Sequence, residues 1–184
     1  MTGTKNLDEI LKQLGEEDKS YVLSLIEKDG LTGIYNRHFF NQRIEQEVHL
    51  AGHSETDVSL LLFDIDDFKA YQDNHKEGHV AGDRTLYQLA QHLQEQTKDY
   101  DVVCRYGGEE IAVICPDTKL KEGVETAERL RAYIESFCEV TVSVGVANYK
   151  DNAENVVGLI YKADRGLYQA KENGKNRVEV YNGE

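Results

Sequence analysis

The chain has 184 residues, with 34 Asp or Glu against 21 Lys or Arg, for a formal net charge of −13. With 40% hydrophobic and 30% charged residues, three cysteines and one proline, it is no collagen, disordered chain or disulfide scaffold. The acidic balance speaks against a nucleic-acid polymer as partner, but not against a nucleotide held by a local cation or metal. No apolar run approaches the ~20 residues of a membrane span, and MTGTKNLDEILKQL lacks an apolar signal core. The expectation is one cytoplasmic domain without membrane contact, its scattered Cys104, Cys115 and Cys138 reduced.

Leu7, Ile10, Leu11 and Leu14 recur at helical spacing up to Gly15. Tyr21, Val22, Leu25 and Ile26 form a second set that Asp29-Gly30 breaks. Residues 1–28 thus read as two short amphipathic helices before the main domain, 29–184; they either pack on it or form a dimerising or input stub. Asn36 is a candidate cap for a helix reaching about residue 50. Leu60 to Phe63 is a short continuous apolar run, as in a central strand covered on both faces. A loop with Asn74 and Gly78 leads to a helix over about 80–97. DVVCRY and EEIAVIC flank Gly107-Gly108, a hairpin signal whose tight turn asks for positive φ at the glycines. After Pro116-Asp117-Thr118, a helix is expected over about 120–137. Val140, Val142, Val144 and Val146 then alternate with Thr141, Ser143, Gly145 and Ala147 as a period-2 strand. A last helix, about 153–172, stops at Asn173-Gly174, and RVEVY forms a short final strand. The order β-α-β-β-α-β plus one helix and strand predicts an α+β fold: a ferredoxin-like, palm-type antiparallel sheet with helices on one face.

Asp64, Asp66 and Asp67 sit at the end of the apolar run. Alone, such a cluster is usually a solvated strand end. Glu109 and Glu110, directly after the two glycines, change the balance, because hairpin and strand can lie side by side. Converging carboxylates repel unless a divalent cation neutralises them, and oxygen ligands favour Mg²⁺ or Mn²⁺ over zinc. His49/His53 and His75/His79 have i, i+4 spacing but no HExxH arrangement, and read as helix-end or loop histidines.

RYGGEEI resembles the signature of the GGDEF family of diguanylate cyclases. DGLTGIYNRHFF, FDIDDFKAYQD, GHVAGD, TVSVGVA and ADRGLYQAKENGKN match further blocks of that family in order, covering about residues 29–180. The resemblance implies condensation of two GTP into cyclic di-GMP with release of two pyrophosphates, at a two-fold homodimer of half-sites. It implies metal binding by Asp64, the Ile65 carbonyl and Glu109, and a place for Glu110 near the metals or the attacking hydroxyl. Lys69, Lys171 and Lys175 match phosphate-binding positions, with backbone N–H groups from Asp67 and Phe68 and close backbone approach at Gly107 and Gly108. Asp83 matches the acceptor of guanine N1–H and N2–H, and Gln72 the neighbouring base contact. Asp29, Leu31, Thr32, Asn36 and Arg37 match a block read here as structural.

The chain departs from the family pattern at several places. Gln72 replaces the usual Asn, and the loop between Asp73 and Gly78 is two residues longer. Ile111 replaces Phe, and Lys175 stands where Arg is common. Lys98 and Asp101 occupy the positions of an RxxD product-inhibition site, where lysine lacks the planar guanidinium, so weak feedback inhibition is expected. Two rivals remain: a silent domain that binds GTP or cyclic di-GMP as a regulatory module, and a cyclase with altered base choice. An upstream sensor domain is a candidate partner.

Overall fold

The computed structural model describes residues 12–183. The helix expected over residues 7–14 lies largely outside them. Among the described residues, helix α1 (Glu16–Glu27) comes first and buries no residue, leaving Tyr21 and Leu25 exposed. Helix α2 (Arg37–Ser54) begins at Asn36, whose side chain accepts from the Phe39 N–H, as the capping signal predicted. Strand β1 (Val58–Ile65), the short helix α3 (Phe68–Asn74) and helix α4 (His79–Gln96) follow. The hairpin β2 (Val102–Arg105) and β3 (Glu110–Pro116) leads to α5 (Leu120–Phe137), β4 (Val142–Tyr149), α6 (Val156–Glu172) and β5 (Val178–Val180).

The five strands form one sheet in the order β2-β3-β1-β4-β5. The first four are antiparallel to their neighbours, as expected, and β5 adds a parallel edge beside β4. The helices cover both faces rather than one. Alternation along β1 explains why: Leu61, Phe63 and Ile65 face α4 and α5, while Leu60 and Leu62 face α2 and α6. Each side chain of β1 therefore leaves water, so the strand needs apolar residues at successive positions.

The alternation along β4 has a different cause. Val142, Val144 and Val146 join the first core, yet Ser143, Gly145 and Ala147 are buried as well. They are small because α6 lies close against them. A Cβ at Gly145 would collide with the Ala163 carbonyl and the Leu167 backbone, and one at Gly166 would crowd the Glu179 carbonyl. This close approach fixes α6 over β4 and β5, and so fixes the end of α6 beside the end of β1.

Candidate active site

The site lies where β1 ends. Asp64 pairs in register with Glu110 of β3 on one side and Ser143 of β4 on the other, and is only 5% exposed. Lys171, in the last turn of α6, donates from Nζ to Asp64 Oδ2 at 2.8 Å. Burial nevertheless pushes the Asp64 carboxyl up to about 6; Lys171 opposes that rise, and Glu109 and Glu110 add to it. Three carboxylates thus share one field around a single buried oxygen pair.

Asp64, Ile65, Asp67, Phe68, Lys69 and Glu109 line one cleft of about 480 Å³ together with Lys171 and Lys175. That is the size of a small-ligand site. Lys175 Nζ donates to Asp67 Oδ1, a contact that raises the lysine pKa. Both cations are thus already matched to a carboxylate. Asp73 lines the same cleft and was not singled out from the sequence; its place one helical turn after Lys69 on α3 was the available signal.

The hairpin differs from expectation in its turn. Neither Gly107 nor Gly108 has positive φ. The connection spans four residues, with the Tyr106 N–H donating to the Glu110 carbonyl at 2.8 Å. The Glu110 carboxylate instead folds over Gly107, its Oε2 lying in the space a Cβ would take. The Gly108 carbonyl accepts from Arg105 Nη2 at 2.8 Å, and Arg105 Nη1 reaches both oxygens of Asp29. Asp29 also accepts from the Thr32 N–H and hydroxyl, and its carboxyl lies below the usual range through these bonds and Arg105, despite its partial burial. Asn36 Nδ2 donates to the Ile26 carbonyl at 2.6 Å. The opening block therefore ties α1 and the hairpin together, as a structural role demands.

Gln72 and Asp83 do not line the cleft. Gln72 lies on α3 against Gly82 of α4, filling the space a Cβ would take, next to Asp83. The longer loop before α4 is closed by an ion pair between Arg84 and Glu77, and turns at Gly78 with φ 52°.

No three His, Cys, Asp or Glu side chains converge as ligands among the described residues. Asp64, Glu109 and the Ile65 carbonyl instead fit a hard divalent cation of the kind that takes one or two carboxylates and keeps waters and phosphate oxygens as its other ligands.

The family described as diguanylate cyclase, GGDEF domain, matches residues 26–177. The response regulator PleD of Caulobacter vibrioides is 37% identical over 166 residues, 85% of this chain and 36% of that protein. Diguanylate cyclase VdcA of Vibrio cholerae is 36% identical over 186 residues, 95% of this chain and 51% of that protein. The chain thus spans between about a third and a half of the length of these two curated relatives. Among solved structures, the GGDEF domain of DgcB from Caulobacter crescentus, in complex with c-di-GMP, superimposes with a TM-score of 0.79 at 30% identity, covering 85% of this chain and 96% of that one. The active GGEEF domain of a Vibrio cholerae diguanylate cyclase gives 0.75 at 26% identity, covering 81% and 98%. With that family matching residues 26–177 and relatives at 36–37% identity over most of its length, the chain belongs to the GGDEF family.

Proposed function

We propose that this domain is a diguanylate cyclase: it joins two GTP into cyclic di-GMP and releases two pyrophosphates. The observation that carries this is the meeting of Asp64, Glu109, Lys171 and Lys175 around one cleft at the end of β1. Each 3′-hydroxyl attacks the α-phosphate of the other GTP, so two subunits face each other about a two-fold axis. Residues 1–28 are the dimerisation or input stub in this scheme, and 29–184 the catalytic domain of a cytoplasmic protein.

Asp64, Glu109 and the Ile65 carbonyl would hold Mg²⁺, or Mn²⁺ in its place. When bound, the cation lowers the hydroxyl pKa and offsets charge on the departing pyrophosphate. Lys171 exchanges Asp64 for a phosphate oxygen, and Lys175 exchanges Asp67. Lys69 adds a third cation from α3. The N–H groups of Asp67 and Phe68 stand at the start of that helix, where such donors have no partner within the helix. Glu110 is assigned to the attacking hydroxyl. Asp83 accepts from guanine N1–H and N2–H, which adenine lacks, and Gln72 flanks it.

The test is a product assay with GTP, Mg²⁺ and rising protein concentration, and an equimolar GTP/ATP mixture in parallel. Cyclic di-GMP rising more steeply than protein concentration is the expected result. Nucleotide binding without product at any concentration would overturn the proposal in favour of a regulatory module.

A further inference from the structure

We infer that Asp66 is a positioning residue: it anchors the turn after α6 so that Lys175 faces the triphosphate. This rests on the proposal that the cleft takes a nucleoside triphosphate.

Asp66 is two residues beyond Asp64 and 8% exposed, but it is engaged differently. Its Oδ1 accepts from Ser143 Oγ at 2.6 Å, and its Oδ2 from Thr141 Oγ1 at 2.7 Å and from the Asn176 N–H at 3.0 Å. Three donors from β4, its leading edge and the far turn solvate this carboxylate, so its lone pairs are committed inside the protein. Asn176 is gripped from the other side too: Oδ1 accepts from Arg131 Nη1 and Nδ2 donates to Glu135 Oε1, both at 2.7 Å. Arg131 is itself bridged to Glu128 and Glu135 on α5.

The gripped residue is the next one after Lys175. Gly174, Lys175 and Asn176 all have positive φ, at 112°, 62° and 47°. Two successive non-glycine residues keep that backbone only where the surroundings fix it. The bond from Asp66 to the Asn176 N–H, and the Lys175 N–H bond to the Ala170 carbonyl at 2.9 Å, supply that fixation on either side of the lysine. Lys171 needs no such anchor, being inside α6. Loss of Asp66 should therefore imitate loss of Lys175 and not loss of Lys171.

The experiment is calorimetric titration with guanosine 5′-(α,β-methylene)triphosphate and Mg²⁺, which measures binding without turnover, joined to hydrogen exchange of the free protein. K175A and D66N are each expected to weaken binding about tenfold. The double variant should be no weaker than either, whereas D66N and K171A should multiply, because coupled sites fail to add and independent ones do not. Amides 174–177 should exchange faster in D66N without ligand. If D66N does not fold, T141V removes one donor at nearly constant shape; about threefold weaker binding, absent in the K175A background, is then expected. Binding by D66N within twofold of wild type, or losses that multiply with K175A, would overturn the inference alone. Wild-type protein that binds no triphosphate would overturn the functional proposal and this role of Asp66 with it, even if exchange at 174–177 rises.

Discussion

Strand β1 has a buried polar network at each end, and the two are built on opposite plans. At the Val58 end, Ser59 Oγ donates to the Thr118 carbonyl at 2.9 Å, and Asn148 Nδ2 donates to Ser59 Oγ and to the same carbonyl at 3.0 and 2.9 Å. Asn148 Oδ1 accepts from the Asp151 N–H. These groups are neutral and satisfied, so the network closes on itself. At the Ile65 end Asp66 is satisfied as well, but the buried Asp64 carboxylate has Glu109 and Glu110 nearby and a lysine partner that is 40% exposed. One end of the strand is finished by its own chain; the other is left in electrostatic debt that a cation and a polyphosphate can settle. A buried polar cluster is therefore informative about function only once its satisfaction has been checked.

The largest effect that would sharpen this contrast is catalytic. E109Q keeps size and hydrogen bonding but removes a charge from the open end, and turnover should fall by about 10³-fold or more, as when a charge-stabilising group is lost. Pyrophosphate release is the readout, with unchanged far-ultraviolet dichroism as control; substantial residual activity would remove Glu109 from the metal site.

The second effect is on stability, with opposite sign. The Asp64 carboxyl titrates at about 6 in the folded protein against 3.8 for the ordinary group, so folding favours its protonated form. Its ionisation costs stability progressively as pH rises from 3.8 through 6. D64N, measured with chelator present, should thus be more stable than wild type at pH 8 by up to about 3 kcal/mol. The gain should vanish near pH 3, where Asp64 is protonated in both folded and unfolded chains. Equal stability of the two proteins at pH 8 would break the contrast.

The closed end supplies the third. N148A strips donors from Ser59 and Thr118 and should cost about 2–3 kcal/mol, read as a lower denaturation midpoint. Turnover per folded molecule should stay within twofold of wild type. A large loss of turnover at unchanged stability would mean that the two ends are coupled.

The smallest effects lie away from the cleft. Q72N removes one methylene from the side chain over Gly82, worth roughly 0.8 kcal/mol. It should change KM for GTP by at most about fourfold and leave kcat alone. Added cyclic di-GMP should inhibit weakly, because Lys98 offers no guanidinium plane and its main-chain N–H is already bonded to Asp101 Oδ2 at 3.0 Å.

Much of this was legible in the sequence, for local reasons. The continuous apolar run of β1 marked a strand buried on both faces, and Asn36 capped its helix as expected. The alternation in β4 marked a strand, as found, but it did not show what its second face meets, because a small residue facing a close helix looks the same in sequence as one facing water. Asp64, Glu109, Lys171 and Lys175 stood out through the block resemblance, and the fold brings them to one cleft. Gly107-Gly108 marked the hairpin, although neither glycine adopts the positive φ that a tight turn asks for. The role of Asp66 was hidden because its donors lie 75, 77 and 110 residues away, and no local pattern encodes partners so remote. The two-sided cover of the sheet was hidden likewise, since α2 precedes the strands it packs against.

The central place of β1 also bears on how the chain is made. Both neighbours of β1 come later in sequence, and β4 begins 77 residues after β1 ends. At ribosomal rates of about 5–20 residues per second, β1 spends several seconds with both edges bare and apolar side chains on both faces. During that interval it is exposed to wrong pairing, with Asp57 before it and Asp64, Asp66 and Asp67 at its end as charges to discourage it. The acidic cluster would then guard the nascent strand before it has any nucleotide to serve.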